Sequence, residues 1–223
     1  SGSSTANNTI LRAIFKMGIP VSGKNLFPSN IQGLPTWYTI RANKDGFIAR
    51  REEQEMVVAM NPDSFTRDLA SVAPGGAFFY SDDIKQPITR VDIAIYPMPV
   101  KQLVRSDPNV PADFRDLVGN MVYVGVLAHM IGIGLLTIRA ALEFHFKGKQ
   151  KPIDMNFNTV KAGAEWARTN LEKKDNFYLE AMDKTNGLIM SDGNTAAAIG
   201  SIFGGVQFAA WYPITPASSL AEA

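Results

Sequence analysis

Hydroxyl groups are concentrated in a loop near the end of the chain, directly after an apolar segment, residues 206–211, that is predicted to be a buried strand. The loop contains Tyr212, Pro213, Ile214, Thr215, Pro216, Ala217, Ser218 and Ser219. Its two prolines restrict the backbone, so the Thr215 hydroxyl is expected to point in one direction. Open α/β sheets bind ligands where a strand ends and a helix begins. The loop therefore predicts either a preorganised site for an anionic or carbonyl-bearing ligand or a capped turn.

A second candidate site lies at the start of the sequence. Gly2, Ser3 and Ser4 open a predicted amphipathic helix over residues 3–17, whose first backbone N–H groups could hold a phosphate or another anion. The strand that normally precedes such a turn is not in the sequence. An ordinary N-cap at Ser3 or Ser4 would explain the same residues equally well.

Few other residues of the chain are candidates for catalysis. The chain has no cysteine, which excludes disulfides, thiolate nucleophiles and an iron–sulfur cluster ligated by this chain. His129 and His145 are its only histidines, and both are predicted to be helical core or half-buried residues rather than general bases. Lys147, Lys149 and Lys151 favour a solvated turn over a phosphate clamp. No pattern typical of a metal site or of a serine nucleophile elbow is present, so no metal ligands are expected.

Positioning these residues requires a folded core, and the composition provides for one. The 223 residues are 46% hydrophobic and 19% charged, which is unlike a disordered chain. A formal net charge of +1 gives no global attraction to nucleic acid. No signal peptide pattern is visible, and both ends look cut, so we expect a cytoplasmic chain that belongs to a longer protein.

The run from Leu117 to Ile138 contains no Asp, Glu, Lys or Arg, and it is long enough to span a bilayer. Gly132 and Gly134 interrupt it, which favours two buried helices over one membrane span. We therefore expect no membrane association, although a membrane-associated protein built around this run is a third, weaker hypothesis.

Apolar runs with β propensity alternate with helical segments, which indicates an α/β fold with a layered, mostly parallel sheet flanked by helices. Strands near residues 36–40, 55–60, 77–80 and 91–96 are expected to share one sheet. Residues 24–35 are expected to form a loop, and Asn61 is expected to cap a helix with Pro62 at its first position. Further helices are predicted over residues 119–131, 135–146 and 158–171.

The character of the chain changes near residue 185. An extended segment at residues 187–190, a small-residue helix at 195–203 opened by Gly193 and Asn194, the strand at 206–211 and a helix start at 218–223 follow. We therefore predict one domain over residues 1–185 and the first elements of a second α/β domain over residues 186–223.

Several motifs resemble one family of thiamine diphosphate enzymes, the 2-oxoacid:ferredoxin oxidoreductases. The sequence YPITP at residues 212–216, together with residues 193–196, is similar to the opening of their pyrimidine-binding domain. Residues 27–38 and 74–76 resemble their γ domain. The order of the two domains is similar to that in the α subunit of the 2-oxoglutarate type.

The resemblance implies coenzyme-A-dependent oxidative decarboxylation of a 2-oxoacid, or the reverse carboxylation, with electrons exchanged with ferredoxin. It implies that Thr215 contacts the 2-oxoacid and the thiamine cofactor, and that the γ domain lies near coenzyme A, where Gly2, Ser3 and Ser4 would face it. Around Thr215 the implied binding residues are Tyr212, Pro213, Ile214, Pro216 and Ser218.

The resemblance also implies a hetero-oligomer. A β subunit would hold the thiamine diphosphate, its Mg²⁺ and a [4Fe–4S] cluster, which agrees with the absence of cysteine here. The acidic residue that contacts the thiamine pyrimidine in the family lies downstream of the YPITP motif and is not in this chain, and the first strand and glycine-rich turn of the γ domain are truncated. We therefore expect the chain to be inactive by itself. A non-catalytic α/β scaffold that binds a nucleotide or a partner subunit is the alternative.

Overall fold

The structure, a computed structural model, describes residues 2–26, 34–214 and 217–223. Contacts within the chain divide it into two compact units, unit 1 (residues 1–185) and unit 2 (residues 186–223). The described part of unit 1 contains a parallel sheet with apolar side chains packed on both faces. The described part of unit 2 contains two helices.

Unit 1 begins with helix α1 (Gly2–Lys16), which confirms the helix predicted over residues 3–17. Its apolar face, including Ile10 and Ile14, is buried in the main core. Gly18 follows the helix with φ +78°, a conformation that residues with a Cβ rarely adopt. The glycine therefore ends α1 and turns the chain into the next segment.

A two-stranded antiparallel sheet follows, formed by β1 (Val21–Leu26) and β2 (Trp37–Ala42). It is separate from the parallel sheet, so the prediction that residues 36–40 share one sheet with the other strands is wrong. The physical reason is local, because β1 takes up the hydrogen bonds of β2. Gly23 of β1 also lets Tyr38 approach closely, since a Cβ there would lie 2.2 Å from the Tyr38 hydroxyl.

The expected loop at residues 24–35 is also only partly present. Lys24, Asn25 and Leu26 belong to β1 and pair with β2, so the extended segment continues further than its polar residues suggest. Residues 27–33 lie outside the described residues. The strand continues because pairing with an apolar neighbour compensates for the weak β propensity of Lys24 and Asn25.

The parallel sheet has the order β3–β4–β5, with β3 (Gln54–Ala59), β4 (Val72–Ser81) and β5 (Ala94–Met98). These strands confirm the parallel sheet predicted from the apolar runs, although the strand predicted from residue 91 begins only at Ala94. β4 begins earlier than expected and includes residues 74–76, which were expected to precede it. The α/β fold class is therefore confirmed, with a smaller parallel sheet than predicted.

Aromatic side chains cover both faces of this sheet. Phe79 stacks on Tyr96 with ring centroids 4.6 Å apart, and both belong to the main core with α1. Phe78 points to the opposite face, because successive side chains of a strand alternate. There it meets Phe65 edge to face at 5.3 Å. Phe65 begins helix α2 (Phe65–Ala70), which covers that face.

The start of α2 differs from the prediction. Its N-cap position is Ser64, and Asn61 and Pro62 lie before the helix. The Asn61 side chain accepts a hydrogen bond from the backbone N–H of Asp63 at 2.9 Å. Asn61 therefore closes a turn, as asparagine commonly does, instead of capping the helix.

Helices complete unit 1 after the sheet. They are α3 (Val100–Ser106), a short 3-10 turn (Ala112–Phe114), α4 (Arg115–Val118), α5 (Asn120–Ile131), α6 (Leu135–His145) and α7 (Gln150–Asn170). The long apolar run forms two separate helices as predicted, since Gly132 follows α5 with φ +81° and α6 begins at Leu135. α5 is buried almost throughout, whereas Leu136 of α6 is 82% exposed. Within the described ranges, no helix is both long and apolar enough to cross a membrane.

The end of unit 1, residues 171–185, has no helix or strand, and we call it the strap. Its backbone N–H groups bond to the ends of two helices, with Met182 N 2.8 Å from Met17 O and Leu179 N 2.8 Å from Ile131 O. Asp175 of the strap is buried and accepts a hydrogen bond from the Tyr96 hydroxyl at 2.7 Å. The strap is therefore fastened to both the helices and the sheet.

Unit 2 contains α8 (Gly193–Phe203) and α9 (Ala217–Glu222), which confirms both predicted helices. Asp192 caps α8 by accepting a hydrogen bond from Thr195 N at 2.9 Å. Residues 206–211 do not form the predicted buried strand, and the Phe208 side chain is 85% exposed. The described part of unit 2 offers no strand to pair with this segment, and backbone hydrogen bonds of a strand need such a partner.

Candidate functional site

A cleft of about 370 Å³ opens where the parallel strands end side by side in unit 1. Met60 directly after β3, Ser81 at the end of β4 and Val100 at the start of α3 line it. α/β domains bind ligands at this carboxyl edge of the sheet, because the loops and helix starts that follow the strands gather there. The cleft is therefore the candidate site of unit 1.

One ion pair lies in the wall of the cleft. Lys101 Nζ lies 2.5 Å from Asp83 Oδ2, and the Ser81 hydroxyl donates to the other carboxylate oxygen of Asp83. These hydrogen bonds from Lys101 and Ser81 lower the pKa of Asp83 below its usual value. Asp83 is therefore ionised at neutral pH and compensates the charge of Lys101.

Two arginines add charge to the cleft. Arg105 of α3 is exposed, whereas Arg115 at the start of α4 is half-buried. The Nε atom of Arg115 is fully buried, and no hydrogen-bond partner for it occurs in the described residues. Leaving a buried donor unpaired costs about 1–3 kcal/mol, so such an atom calls for an explanation. The charged side chains of the lining are Lys101, Arg105 and Arg115 against Asp83 and Asp116, so positive charges outnumber negative charges by one.

The first turn of α1 lies next to α4, whose Arg115 and Asp116 line the cleft. A Cβ on Gly2 would fall 2.1 Å from the carbonyl oxygen of Leu117 in α4, so only glycine permits this close approach. Ser3 and Ser4 are exposed within the helix, which already includes Gly2, so the expectation that one of them is the N-cap is wrong. The structure brings Gly2 beside α4 but places none of these three residues in the lining of the cleft.

Two short backbone hydrogen bonds join described residues of the predicted loop of unit 2. Ile214 N donates to Tyr212 O, and Ala217 N donates to Ile214 O, both at 2.7 Å. The Tyr212 and Ile214 side chains are exposed, as is Pro213. These three side chains are therefore open to solvent.

Two of the predicted site residues, Thr215 and Pro216, lie outside the described residues. Ser218 lies in the first turn of α9 and is half-buried. The neighbouring Ser219 hydroxyl accepts a hydrogen bond from the Asn194 side chain at 2.6 Å, which joins the start of α8 to α9. The role assigned to Thr215 therefore stays a prediction.

The two histidines occupy different environments. His145 is half-buried as predicted, with Nε2 3.1 Å from the Thr5 hydroxyl, and burial and then the nearby Arg12 lower its pKa. His129 is exposed, so its predicted placement in a helical core is wrong. It lies in the last turn of α5 and lines an open groove with Glu165 of α7.

The basic turn is as predicted. Lys147 and Lys149 lie between α6 and α7, Lys151 lies in the first turn of α7, and all three are exposed, which confirms a solvated charged segment. Sequence reasoning missed Lys101, Arg105 and Arg115. Lys101 and Arg105 had a weak signal, because they follow a predicted strand closely and such residues gather at one edge of a parallel sheet, whereas Arg115 lies too far along the chain to carry it.

The sequence profile of the pyruvate ferredoxin/flavodoxin oxidoreductase family matches residues 1–166 of the 223. The chain belongs to this family. The assignment covers most of unit 1, including the whole cleft, and it confirms the resemblance to the 2-oxoacid:ferredoxin oxidoreductases. These proteins are subunits of enzymes.

Among curated proteins, this oxidoreductase chain is 24% identical to the α subunit of 2-oxoacid:ferredoxin oxidoreductase 2 from Aeropyrum pernix. The alignment covers 97% of the present chain and 40% of that subunit. The chain thus spans about two fifths of the length of this relative. The similarity therefore extends over one part of a larger subunit.

Two solved structures of oxidoreductases are similar to the chain. The structure of 2-oxoglutarate:ferredoxin oxidoreductase from Magnetococcus marinus, with 2-oxoglutarate, coenzyme A and succinyl-CoA bound, matches with a TM-score of 0.85 at 25% identity. The match covers 100% of this chain and 39% of the other. The γ subunit of a keto/oxoacid ferredoxin oxidoreductase from Geobacter sulfurreducens matches with a TM-score of 0.60 at 13% identity, over 76% of this chain and 94% of that subunit, and shows the fold alone.

Proposed function

We propose that unit 1 is the γ domain of a 2-oxoacid:ferredoxin oxidoreductase α subunit, and that unit 2 is the start of its pyrimidine-binding domain. The observation that carries the proposal is the TM-score of 0.85 over the whole chain to the Magnetococcus marinus enzyme. The similarity of unit 1 to a separate γ subunit supports the first assignment. The YPITP sequence supports the second.

The proposed reaction joins a 2-oxoacid to coenzyme A. The 2-oxoacid loses carbon dioxide, its acyl group passes to the thiol of coenzyme A, and the electrons released pass to ferredoxin, or the reaction runs in reverse. 2-Oxoglutarate is the proposed 2-oxoacid, because it is bound in the structurally similar enzyme. We also place the enzyme in the cytoplasm, where soluble electron carriers and coenzyme A meet.

The cofactors are proposed to reside mainly on a β subunit. With no cysteine in the chain, the residues here do not fit a [4Fe–4S] cluster. Among the described residues, no three His, Asp or Glu side chains converge as a metal site. Thiamine diphosphate, when bound, supplies the carbanion chemistry, and the present chain would orient the substrate and exclude water around it.

Within this chain, the substrate and cofactor contacts are assigned to the loop of unit 2. Thr215 is the proposed contact to the 2-oxoacid and to thiamine, with Tyr212, Pro213, Ile214, Pro216 and Ser218 forming its surroundings. Gly2, Ser3 and Ser4 are proposed to face coenzyme A. The exposed position of Ser3 and Ser4 in the first turn of α1 is compatible with that role.

The test is reconstitution of the complete α subunit with its β subunit. We expect formation of an acyl-CoA and reduction of ferredoxin with 2-oxoglutarate, and weaker turnover with pyruvate or a branched 2-oxoacid. Turnover that prefers another 2-oxoacid would correct the substrate and keep the enzyme class. Absence of thiamine binding and of turnover in the reconstituted complex would leave the non-catalytic scaffold as the function.

A further inference from the structure

The dipeptide Asn-Gly occurs once in the 223 residues, at Asn186 and Gly187, directly after the strap. Both residues are exposed and lie in a turn. Gly187 has φ +73°, and a Cβ built on it would meet nothing within 4 Å. The side chain of Asn186 can therefore approach the backbone nitrogen of Gly187 without the steric shielding that a larger residue would give.

The chain is fastened immediately before this pair, where the Thr185 hydroxyl donates to Phe15 O at 2.8 Å. After the pair, Leu188 is exposed and belongs to no helix or strand. Among the described residues, none accepts a hydrogen bond from Gly187 N. Because neither a helix nor a sheet holds the backbone here, Asn186 and Gly187 can reach the geometry of an intramolecular reaction.

We propose that Asn186 is a site of spontaneous deamidation. The Gly187 nitrogen loses its proton to solvent and attacks Cγ of Asn186. A bond between this nitrogen and Cγ forms, the bond from Cγ to Nδ2 breaks, and ammonia leaves. The product is a succinimide ring. Water then adds to one of the two ring carbonyls and opens the ring to aspartate or to isoaspartate, so the reaction consumes water alone and involves no oxidant or reductant.

Asn176 in the strap provides a comparison within the same chain. It is exposed like Asn186, but the backbone N–H of the next residue, Phe177, donates to Asp175 Oδ1 at 2.9 Å. The nitrogen that would attack is therefore occupied, and the Phe177 side chain restricts the approach to it. Exposure alone does not make a deamidation site, whereas exposure combined with an open glycine nitrogen does.

The modification changes the connection between unit 1 and unit 2. Conversion to aspartate adds one negative charge, which lowers the formal net charge of the chain from +1 to zero. Conversion to isoaspartate also routes the backbone through the Cβ carbon, so the connection gains one methylene group. Both changes occur at the residue where unit 2 begins. The modified fraction therefore increases with the age of the protein and alters this connection.

The experiment follows residue 186 in the complete enzyme with its partner subunit. Wild type, Asn186→Gln and Asn176→Gln are incubated at neutral pH and sampled over time. Each sample is digested with pepsin in acid, where the amide nitrogen stays protonated and the reaction does not proceed. Mass spectrometry then locates a gain of about one dalton, and a protein isoaspartate methyltransferase labels peptides that contain isoaspartate.

Asn186→Gln is the decisive variant, because it retains an exposed amide but would have to close a larger and less favourable ring. Asn176→Gln is the matched control, since it makes the same change at an exposed asparagine whose following N–H is occupied. The readout is chemical, so its result does not depend on whether the enzyme converts a 2-oxoacid.

We expect Asn186 of the wild type to gain mass about 10- to 100-fold faster than Asn176, because an unobstructed nitrogen reaches the attacking geometry more often. Asn186→Gln should abolish the mass gain and the methylation of peptides that contain residue 186, and Asn176→Gln should leave both unchanged. Equal rates at Asn186 and Asn176, or no mass gain at residue 186 of the folded enzyme, overturn the proposal.

Discussion

At the scale of single residues, the contact between Tyr96 and Asp175 is a buried polar interaction between the sheet and the strap. The Tyr96 hydroxyl donates to Asp175 and accepts hydrogen bonds from the backbone N–H groups of Lys174 and Asp175 at 2.7 and 3.1 Å. Asp175 also accepts from Lys173 Nζ at 2.7 Å. Burial, followed by the hydrogen bond to Asp175, raises the pKa of Tyr96 to about 12.

This pKa predicts a loss of stability at alkaline pH. The raised pKa means that the folded state favours the neutral phenol of Tyr96. The stability that this phenol contributes is therefore complete below the ordinary pKa of 10 and is lost as pH rises toward about 12. The full loss is about 2–3 kcal/mol. Tyr96→Phe should be less stable than the wild type at pH 8 but should lose less stability between pH 10 and 12. Urea unfolding at several pH values measures the free energy of unfolding of both proteins. If the two free energies fall in parallel between pH 10 and 12, the raised pKa of Tyr96 is contradicted.

Thr215 is the residue on which the proposed active site depends. In the complete enzyme, Thr215→Ala should lower turnover by about 10²–10³, the cost of losing a donor directed at developing charge. Thr215→Ser retains the hydroxyl and should keep most of the activity. The control measurement is thermal unfolding, which should change little. Normal turnover with a stability loss of about 1 kcal/mol would reduce Thr215 to a turn residue.

At the scale of elements, the crossing of α5 and α7 depends on two glycines. A Cβ on Gly125 would lie 2.0 Å from Val160 O, and one on Gly163 would lie 2.4 Å from Val122 O. Both obstacles are backbone atoms, so they cannot move without shifting a helix. The two helices therefore pack backbone to backbone at this point.

Gly125→Ala should therefore destabilise unit 1 by about 1–3 kcal/mol or more, because the helices must separate. Gly200→Ala is the control, since nothing lies within 4 Å of a Cβ there and alanine favours a helix more than glycine does. Chemical denaturation compares the two variants. Equal stability of Gly125→Ala and the wild type would show that the crossing tolerates a wider spacing.

The elements that sequence predicts well are those with a strong local pattern. The apolar runs of β3, β4 and α5 and the periodic face of α1 are readable because burial follows from the residues themselves. The separate sheet of β1 and β2 is not readable, because the polar residues of β1 hide the strand that takes up the hydrogen bonds of β2. Residues 206–211 show the same limit, since an apolar run is a strand only where another strand pairs with it.

The candidate cleft illustrates this limit for function. Lys101, Arg105 and Arg115 all follow β5 along the chain, and only the parallel pairing of β4 with β5 brings Ser81 and Asp83 beside them. The YPITP motif, by contrast, is contiguous and is readable directly from the sequence. Contiguous sites are thus accessible to sequence analysis, whereas a site assembled from several elements requires the fold.

At the scale of the whole molecule, the segment that follows unit 1 is open to proteases. Leu188 and Ile189 are 60% and 79% exposed and belong to no helix or strand. Limited chymotrypsin digestion of this chain should therefore cut near Leu188, and mass spectrometry should find a resistant fragment that ends close to residue 188. Earlier cleavage within the strap would contradict the hydrogen bonds that fasten it.

The distribution of iron is a second prediction at this scale. With no cysteine in this chain, iron and acid-labile sulfide in the reconstituted enzyme should belong to the partner subunit. Metal analysis of the separated subunits tests this. Stoichiometric iron and sulfide bound by this chain alone would reject the proposed division of cofactors.

The strap also sets the order in which unit 1 can fold. The Thr185 hydroxyl bonds to Phe15 O across 170 residues of sequence, and closing so long a loop costs entropy before the contact is gained. We expect α1 and α5 to be in place before the strap docks on them. Since domains form as the chain is synthesised, a nascent chain cannot complete unit 1 until residue 185 has left the ribosome. Until then, the ends of α1 and α5 would be exposed to chaperones.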